Sequence, residues 1–235
     1  MTDDLSQLLS NHPSPDRPLA GRTVLLVEDS RFASEAIRLL CLRSGARIRR
    51  ADCLTAARRH LAVYRPSVVI VDMGLPDGSG AELIEELARA TPRVPVILGT
   101  SGDTGAREEA GLAGADGFLA KPVESLALFQ QSILMHLPPE EVARGVRPVP
   151  QGSVAPDPLA LADDLNQMSE IMADERRMDY VTQFLGAVAK SAHDRTLEKA
   201  VDKVRQRRAA GEGHGRALAA LNALLEDRIA LARAV

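Results

Sequence analysis

Five short strand-like runs, separated by stretches of helical periodicity, span residues 23–137, and this alternation constrains the fold more than any other feature of the chain. The runs are Thr23–Val27, Ala46–Ala51, Ser67–Val71, Pro95–Leu98 and Gly117–Leu119. Thr23–Val27 and Ser67–Val71 are continuously apolar, which suits strands buried on both faces. Arg47, Arg49 and Arg50 make the second run polar, as an edge strand must be if it is to avoid unwanted pairing. Ser30 opens a helix that carries Phe32, Ala33, Ala36, Ile37, Leu40 and Cys41 on one side and ends before Gly45. Further helices are expected over residues 53–63 and near 79–90, 104–113 and 123–137. Five strands alternating with five helices imply an α/β fold, a parallel sheet with helices on both faces joined by right-handed crossovers.

The residues at the strand ends carry the chemistry. Glu28 and Asp29 follow the first run, Asp72 the third, Thr100 the fourth, and Lys121 with Pro122 the fifth. In a parallel sheet the carboxyl ends of the strands lie along one edge, so these residues converge on one pocket. An aspartate at a strand-to-helix junction can be only a helix cap, and a lone Lys-Pro only a turn. Three carboxylates, a hydroxyl and an ammonium together describe a site that accepts a phosphoryl group with Mg²⁺.

The strings VLLVEDS (24–30), VVIVDMGLPDGSG (68–80), PVILGTS (95–101) and GADGFLAKP (114–122) stand in one order and spacing. Through them, residues 21–137 resemble the receiver domain of two-component response regulators. The resemblance implies a five-stranded doubly wound parallel sheet of the flavodoxin-like kind, with strand order 2-1-3-4-5. It also implies that Asp72 is the phosphoacceptor, a carboxylate nucleophile that takes phosphate from a phosphohistidine. Asp29 and Asp72 would be direct Mg²⁺ ligands, Glu28 would act through water, and the Gly74 backbone carbonyl would fill a further position. Lys121 would pair with one phosphate oxygen and Thr100 would donate to another. Pro122 resembles a family proline that follows a cis peptide and turns Lys121 inward. Phe118 stands where the family keeps an aromatic that swings inward when phosphate draws the threonine, a two-state element biased by local charge. Beyond self-phosphorylation and dephosphorylation at Asp72, the resemblance implies no enzyme. Gly74 and Gly102 stand two positions after Asp72 and Thr100, where they leave room for water and so for rapid loss of the phosphoryl group.

Composition excludes several other classes. With 235 residues, 45% hydrophobic and 26% charged, the chain reads as a soluble globular protein of one large or two small domains. A net charge of −3 gives no global pull toward nucleic acid or anionic lipid. Cys41 and Cys53 lack metal-ligand spacing, which fits a reduced cytoplasmic location. The acidic, proline-broken first 20 residues read as a flexible N-terminal segment, and no apolar run is long enough to insert into a membrane.

Between Leu137 and Leu159 six prolines mark a linker over residues 138–157. Residues 158–235 read as all helical, an effector or dimerisation region. Leu161, Leu165, Met168 and Met172 begin a stripe that Met178, Val181, Leu185 and Val188 continue after a polar interval. Leu197, Val201 and Val204 mark a second helix, and Leu218, Leu221, Leu225 and Ile229 a third, beyond the break at Gly211, Gly213 and Gly215. Such a bundle would have a thin core of its own, so a homodimer or docking on another helical protein is expected. The partners expected are a histidine kinase, a histidine phosphotransfer protein, or both. Lys199, Lys203, Arg205, Arg207 and Arg208 form a basic run, but acidic and basic residues are equal in number over the tail, so a solvated face is the simpler account and nucleic acid is disfavoured. His193 reads as a solvent-facing residue at a helix start, not as a phosphohistidine. The expected function is modulation of a phosphorelay by protein contacts. The alternative is a transcriptional or RNA-binding regulator that uses the tail helices.

Overall fold

The computed structural model describes residues 12–142, 150 and 152–234. Five strands, β1 (Thr23–Val27), β2 (Arg47–Ala51), β3 (Val68–Asp72), β4 (Val96–Ser101) and β5 (Gly117–Ala120), form one sheet in the order β2-β1-β3-β4-β5. Every pairing in it is parallel, with Val24 opposite both Ile48 and Val68, Ile70 opposite Leu98, and Thr100 opposite Leu119. Helices α1 (Arg31–Arg43), α2 (Leu54–Val63), α3 (Gly80–Arg89), α4 (Ala106–Ala113) and α5 (Leu126–Leu134) form the crossovers and the closing layer.

Side chains alternate along a strand, and here the alternation builds two cores. Val24, Leu26, Val68, Ile70, Val96 and Leu98 face one side, where Ile37 and Leu40 of α1 and Phe129 and Ile133 of α5 cover them. Leu25, Val27, Val69, Val71 and Ile97 face the other, against Leu54, Leu83, Ile84, Leu87 and Ala110 of α2, α3 and α4. β2 is the arginine-rich edge, exposed along most of its length. β4 runs three residues beyond Leu98 because Gly99, Thr100 and Ser101 pair with Phe118, Leu119 and Ala120.

Of the expected N-terminal segment, residues 1–11 lie outside the described residues. Leu19 and Ala20, at its other end, are core residues, and the Leu19 amide donates to the Ser44 carbonyl. The linker is likewise tied down at both described ends. Val142 packs on the first core, Val154 is buried in it, and the Val154 amide donates to Glu124.

Among the described residues the tail holds four α-helices where three were expected: α6 (Pro158–Ile171), α7 (Met178–Ser191), α8 (Arg195–Ala209) and α9 (Gly215–Arg233). The polar interval after Met172 is a true break. Asp174 accepts from the Arg176 amide and caps a 3₁₀ turn at Glu175–Arg177, so the long stripe is divided between α6 and α7. Leu165, Met168, Leu185, Val188, Leu197, Val201, Leu221 and Leu225 meet in a third core that all four helices share. The bundle lies against the α/β layers through α6 and α7, both of which contact α1.

Candidate functional site

The strand-end residues meet as the topology requires. Asp72 ends β3, Thr100 lies near the end of β4, Glu28 and Asp29 follow β1, and Lys121 follows β5. Glu28, Asp72, Thr100 and Lys121 are buried, and Asp29 is partly exposed. The Lys121 ammonium lies 2.7 Å from Glu28 Oε2 and 3.1 Å from Asp72 Oδ2. Carboxylate oxygens of Glu28, Asp29 and Asp72 all lie within 4.8 Å of one another. The loop between β1 and α1 is fixed from beside it: Arg50 donates to the Glu28 carbonyl at 3.1 Å and to the Asp29 carbonyl at 2.7 Å. Gly80 is a steric necessity behind the site, since a Cβ there would stand 2.1 Å from the Asp72 carbonyl oxygen.

Three carboxylates against one ammonium leave the pocket with excess acid, and the protonation equilibria register it. Burial pushes the Glu28 carboxyl above its ordinary range. Burial, and then repulsion from Asp72, push Asp29 up to about 7. Burial pushes Asp72 up to about 7 despite the attraction of Lys121. Burial works against charge on Lys121, but Asp72 and Glu28 outweigh it and hold the ammonium protonated well above its ordinary range. A compact all-oxygen donor set with uncompensated negative charge suits a hard divalent cation, so these residues fit Mg²⁺.

The other expected site residues are in place with different partners. The Thr100 hydroxyl donates to the Leu119 carbonyl at 2.8 Å. Phe118 is half-buried, packed against Gly99 and under the Arg107 guanidinium, 5.1 Å from its ring centroid. The bond between Lys121 and Pro122 is cis.

The tail supplies residues that sequence reasoning did not place here. The Tyr180 hydroxyl donates to Asp29 Oδ2 at 2.8 Å. Asp164, fully buried on α6, accepts from Ser30 Oγ at 2.7 Å and from the amides of Arg31 at 2.9 Å and Phe32 at 3.0 Å. A residue more than 130 positions away thus helps to cap α1. Lys190 donates to the Gly102 carbonyl at 2.7 Å, and His193 contacts Glu124 Oε1 at 3.0 Å. His193 is exposed just before α8, as expected, and adds this contact to its place in solvent. It sits with a φ of 54° between α7 and α8 and ties the tail to the loop after β5.

Gln183, Phe184 and Ala187 of α7 wall the pocket beside Asp72, and the space left is about 10 Å³, room for about one water. The two glycines expected to admit water admit α7 instead. A Cβ on Gly74 would stand 2.3 Å from Gln183 Nε2, and one on Gly102 would stand 3.0 Å from Lys190 Cδ. Open solvent access to Asp72 is thus not what this structure provides.

A signal for Asp164 was present in the sequence: it falls on the α6 stripe, three residues after Leu161, where a charge must find a partner. The signal for Tyr180 was the breadth of the apolar surface of α7. Tyr180, Phe184 and Ala187 run beside Val181, Leu185 and Val188, so the helix has two faces to bury.

The model of the response regulator receiver domain matches residues 24–132. The KDP operon transcriptional regulatory protein KdpE of Escherichia coli (strain K12) is 32% identical over 146 residues, which are 60% of this chain and 58% of that protein. The probable transcriptional regulatory protein TcrX of Mycobacterium tuberculosis (strain ATCC 25618 / H37Rv) is 34% identical over 119 residues, 48% of this chain and 49% of that one. The chain thus spans about half the length of these relatives. A solved structure of a putative response regulator from Chloroflexus aurantiacus J-10-fl is 29% identical, with a TM-score of 0.44 over 48% of this chain and 98% of that one. None of these matches assigns the four tail helices. With its strand order, its acid cluster and its buried lysine, the segment from residue 24 to residue 132 belongs to the response regulator receiver domain family.

Proposed function

We propose that this chain is a response regulator that takes a phosphoryl group from a phosphohistidine onto Asp72 and acts through protein contacts on a histidine kinase or phosphotransfer relay. The observation that carries the reading is the pairing of a buried acceptor carboxylate with a buried ammonium 3.1 Å away, next to two further carboxylates. In the reaction the donor's P–N bond breaks, a P–O bond to Asp72 forms, and the imidazole keeps the electron pair. Lys121 holds a phosphoryl oxygen through the charge it now shares with Asp72 and Glu28. Thr100 turns its hydroxyl from the Leu119 carbonyl to a second oxygen, and Phe118 follows as the switch. Asp29, Asp72, Glu28 and the Gly74 carbonyl would hold Mg²⁺, which when bound supplies neutralising charge at the phosphoryl oxygens. Apart from this self-phosphorylation and its reversal, the reading includes no catalysis.

On this reading the chain divides into an N-terminal segment to residue 20, a receiver domain over 21–137, a linker over 138–157 and a helical effector region from 158 onward. No described helix is long and apolar enough to cross a membrane. The two free cysteines support a cytoplasmic location.

A second reading, a transcriptional or RNA-binding regulator, is favoured by the relatives, which are themselves named as transcriptional regulators. Against it, much of the basic run is spent inside the tail: Arg205 donates to the Thr182 carbonyl, Arg207 to the Gly213 carbonyl, and Arg208 pairs with Glu175 and Asp179. The homodimer expected from the apolar stripes also has less support, because those stripes are buried against one another within one chain.

The test is incubation of the full chain with Mg²⁺ and a small acyl phosphate, read by intact-protein mass. One phosphoryl group is expected on the wild type and none on Asp72→Ala; equal labelling of the two would reject Asp72 as the acceptor. Titration with duplex DNA and with RNA at two salt concentrations separates the readings. Binding that falls steeply with salt would favour the second.

A further inference from the structure

We propose that the helical tail is an intramolecular competitor for the phosphodonor's docking surface, so that its seat on the receiver domain and phosphorylation of Asp72 exclude one another. The proposal rests on Asp72 being the acceptor. A donor must bring its phosphorus within about 3 Å of an Asp72 oxygen. α7 stands beside that oxygen, with Gln183, Phe184 and Ala187 in the pocket wall and room left for about one water. A phosphoryl group with its three oxygens does not fit in that space while α7 stays. The Tyr180 hydroxyl also occupies Asp29 Oδ2, an oxygen of the acid cluster itself.

The seat has the features of a built interface. Asp164 is fully buried and accepts three hydrogen bonds from the start of α1. Lys190 reaches the loop after β4 and His193 the loop after β5, so the tail touches the loops that follow β1, β3, β4 and β5. Gly74 and Gly102 leave the space that Gln183 and Lys190 take up. Because the two events compete for one surface, linkage requires the coupling to be reciprocal. Whatever phosphorylation costs the tail contact, the tail contact costs phosphorylation.

The experiment uses the full chain throughout. Beryllium fluoride with Mg²⁺ serves as a non-covalent stand-in for the phosphoryl group, with its uptake read by fluorine resonance and the tail by amide hydrogen exchange. Exchange in residues 178–191 is expected to rise at least tenfold on loading, and not to rise in Asp72→Ala. Separately, the acyl phosphate labelling rate is compared between wild type and Tyr180→Phe with Asp164→Ala. The Phe keeps the ring that packs on Phe184 and loses only the hydroxyl. Labelling at least tenfold faster is expected, as lost hydrogen bonds to two carboxylates imply. Beryllium fluoride bound with no change in α7 exchange would overturn the competition and leave the receiver reading intact. The exchange measurement needs no substitution in the tail, so it decides even if the double substitution fails to fold. If neither wild type nor double variant takes up beryllium fluoride or phosphate, the reading of Asp72 as acceptor falls and this proposal with it.

Discussion

Lys121 is the residue on which the pocket depends electrostatically. Its side chain is 2% exposed, and an ammonium that deep is tolerable only with partners, here Glu28 and Asp72. The converse holds for the acids, since removing the cation leaves buried carboxylates uncompensated. Lys121→Met is therefore expected to lower the unfolding free energy by about 3–5 kcal/mol at neutral pH, read by urea denaturation. A loss below about 1 kcal/mol would mean that water reaches these groups and that the pocket is less enclosed than it looks. At this scale the sequence was legible wherever strand ends carry the chemistry. Glu28, Asp29, Asp72, Thr100 and Lys121 could be brought together by one rule, that parallel strands finish on a common edge. Asp164 and Tyr180 obey no such rule. They reach the junction of β1 and α1 beside the pocket through the packing of α6 and α7 on α1, a contact set by shape and not by spacing.

Among the elements, β1 and β3 were easy to read because unbroken apolar runs leave one interpretation. β4 was longer than its apolar run because Gly99, Thr100 and Ser101 continue the ladder with polar or small side chains. The tail was harder, since helical periodicity persists across the break that Asp174 makes between α6 and α7. A second break, between α7 and α8, is fixed by Asp194, whose carboxylate accepts from the amides of Thr196 and Leu197 at 3.0 Å and pairs with Arg228 of α9. Burial works against charge there, yet the Arg228 guanidinium and the two amides prevail and hold the carboxyl below the ordinary aspartate range. Asp194→Ala is expected to cost about 1–2 kcal/mol, and Asp194→Asn, which keeps a capping oxygen, less. A carboxyl with a depressed folded-state pKa binds fewer protons folded than unfolded, so its stabilisation is present above the unfolded value. It is lost as pH falls through the folded one. The gap between wild type and Asp194→Ala should therefore hold from neutral pH to mildly acid pH and close below about 4. A gap unchanged in strong acid would assign the cost to packing instead of to the charge.

On the scale of the molecule, two cores on either side of a sheet and a third inside a helical bundle are joined by a seat over the pocket. The joint mixes two kinds of contact, and salt distinguishes them. Asp164 is buried, and the contacts of α1 with α6 and α7 are internal, so ions have little access to them. The pairs Arg31–Asp163 and Lys190–Asp103 are substantially exposed and so contribute little, and less as salt rises. A seat held by the first kind keeps the chain at the radius of gyration of a compact domain of its length, about 18 Å. Small-angle scattering of the unphosphorylated wild type should return that value at both about 0.05 M and about 0.5 M salt, a range over which the screening length falls severalfold. The Tyr180→Phe and Asp164→Ala pair should expand at both concentrations, because it removes contacts that salt does not reach. Expansion of the wild type with salt would instead place the docking energy in Arg31–Asp163 and Lys190–Asp103, and the closure of the pocket would then depend on ionic strength.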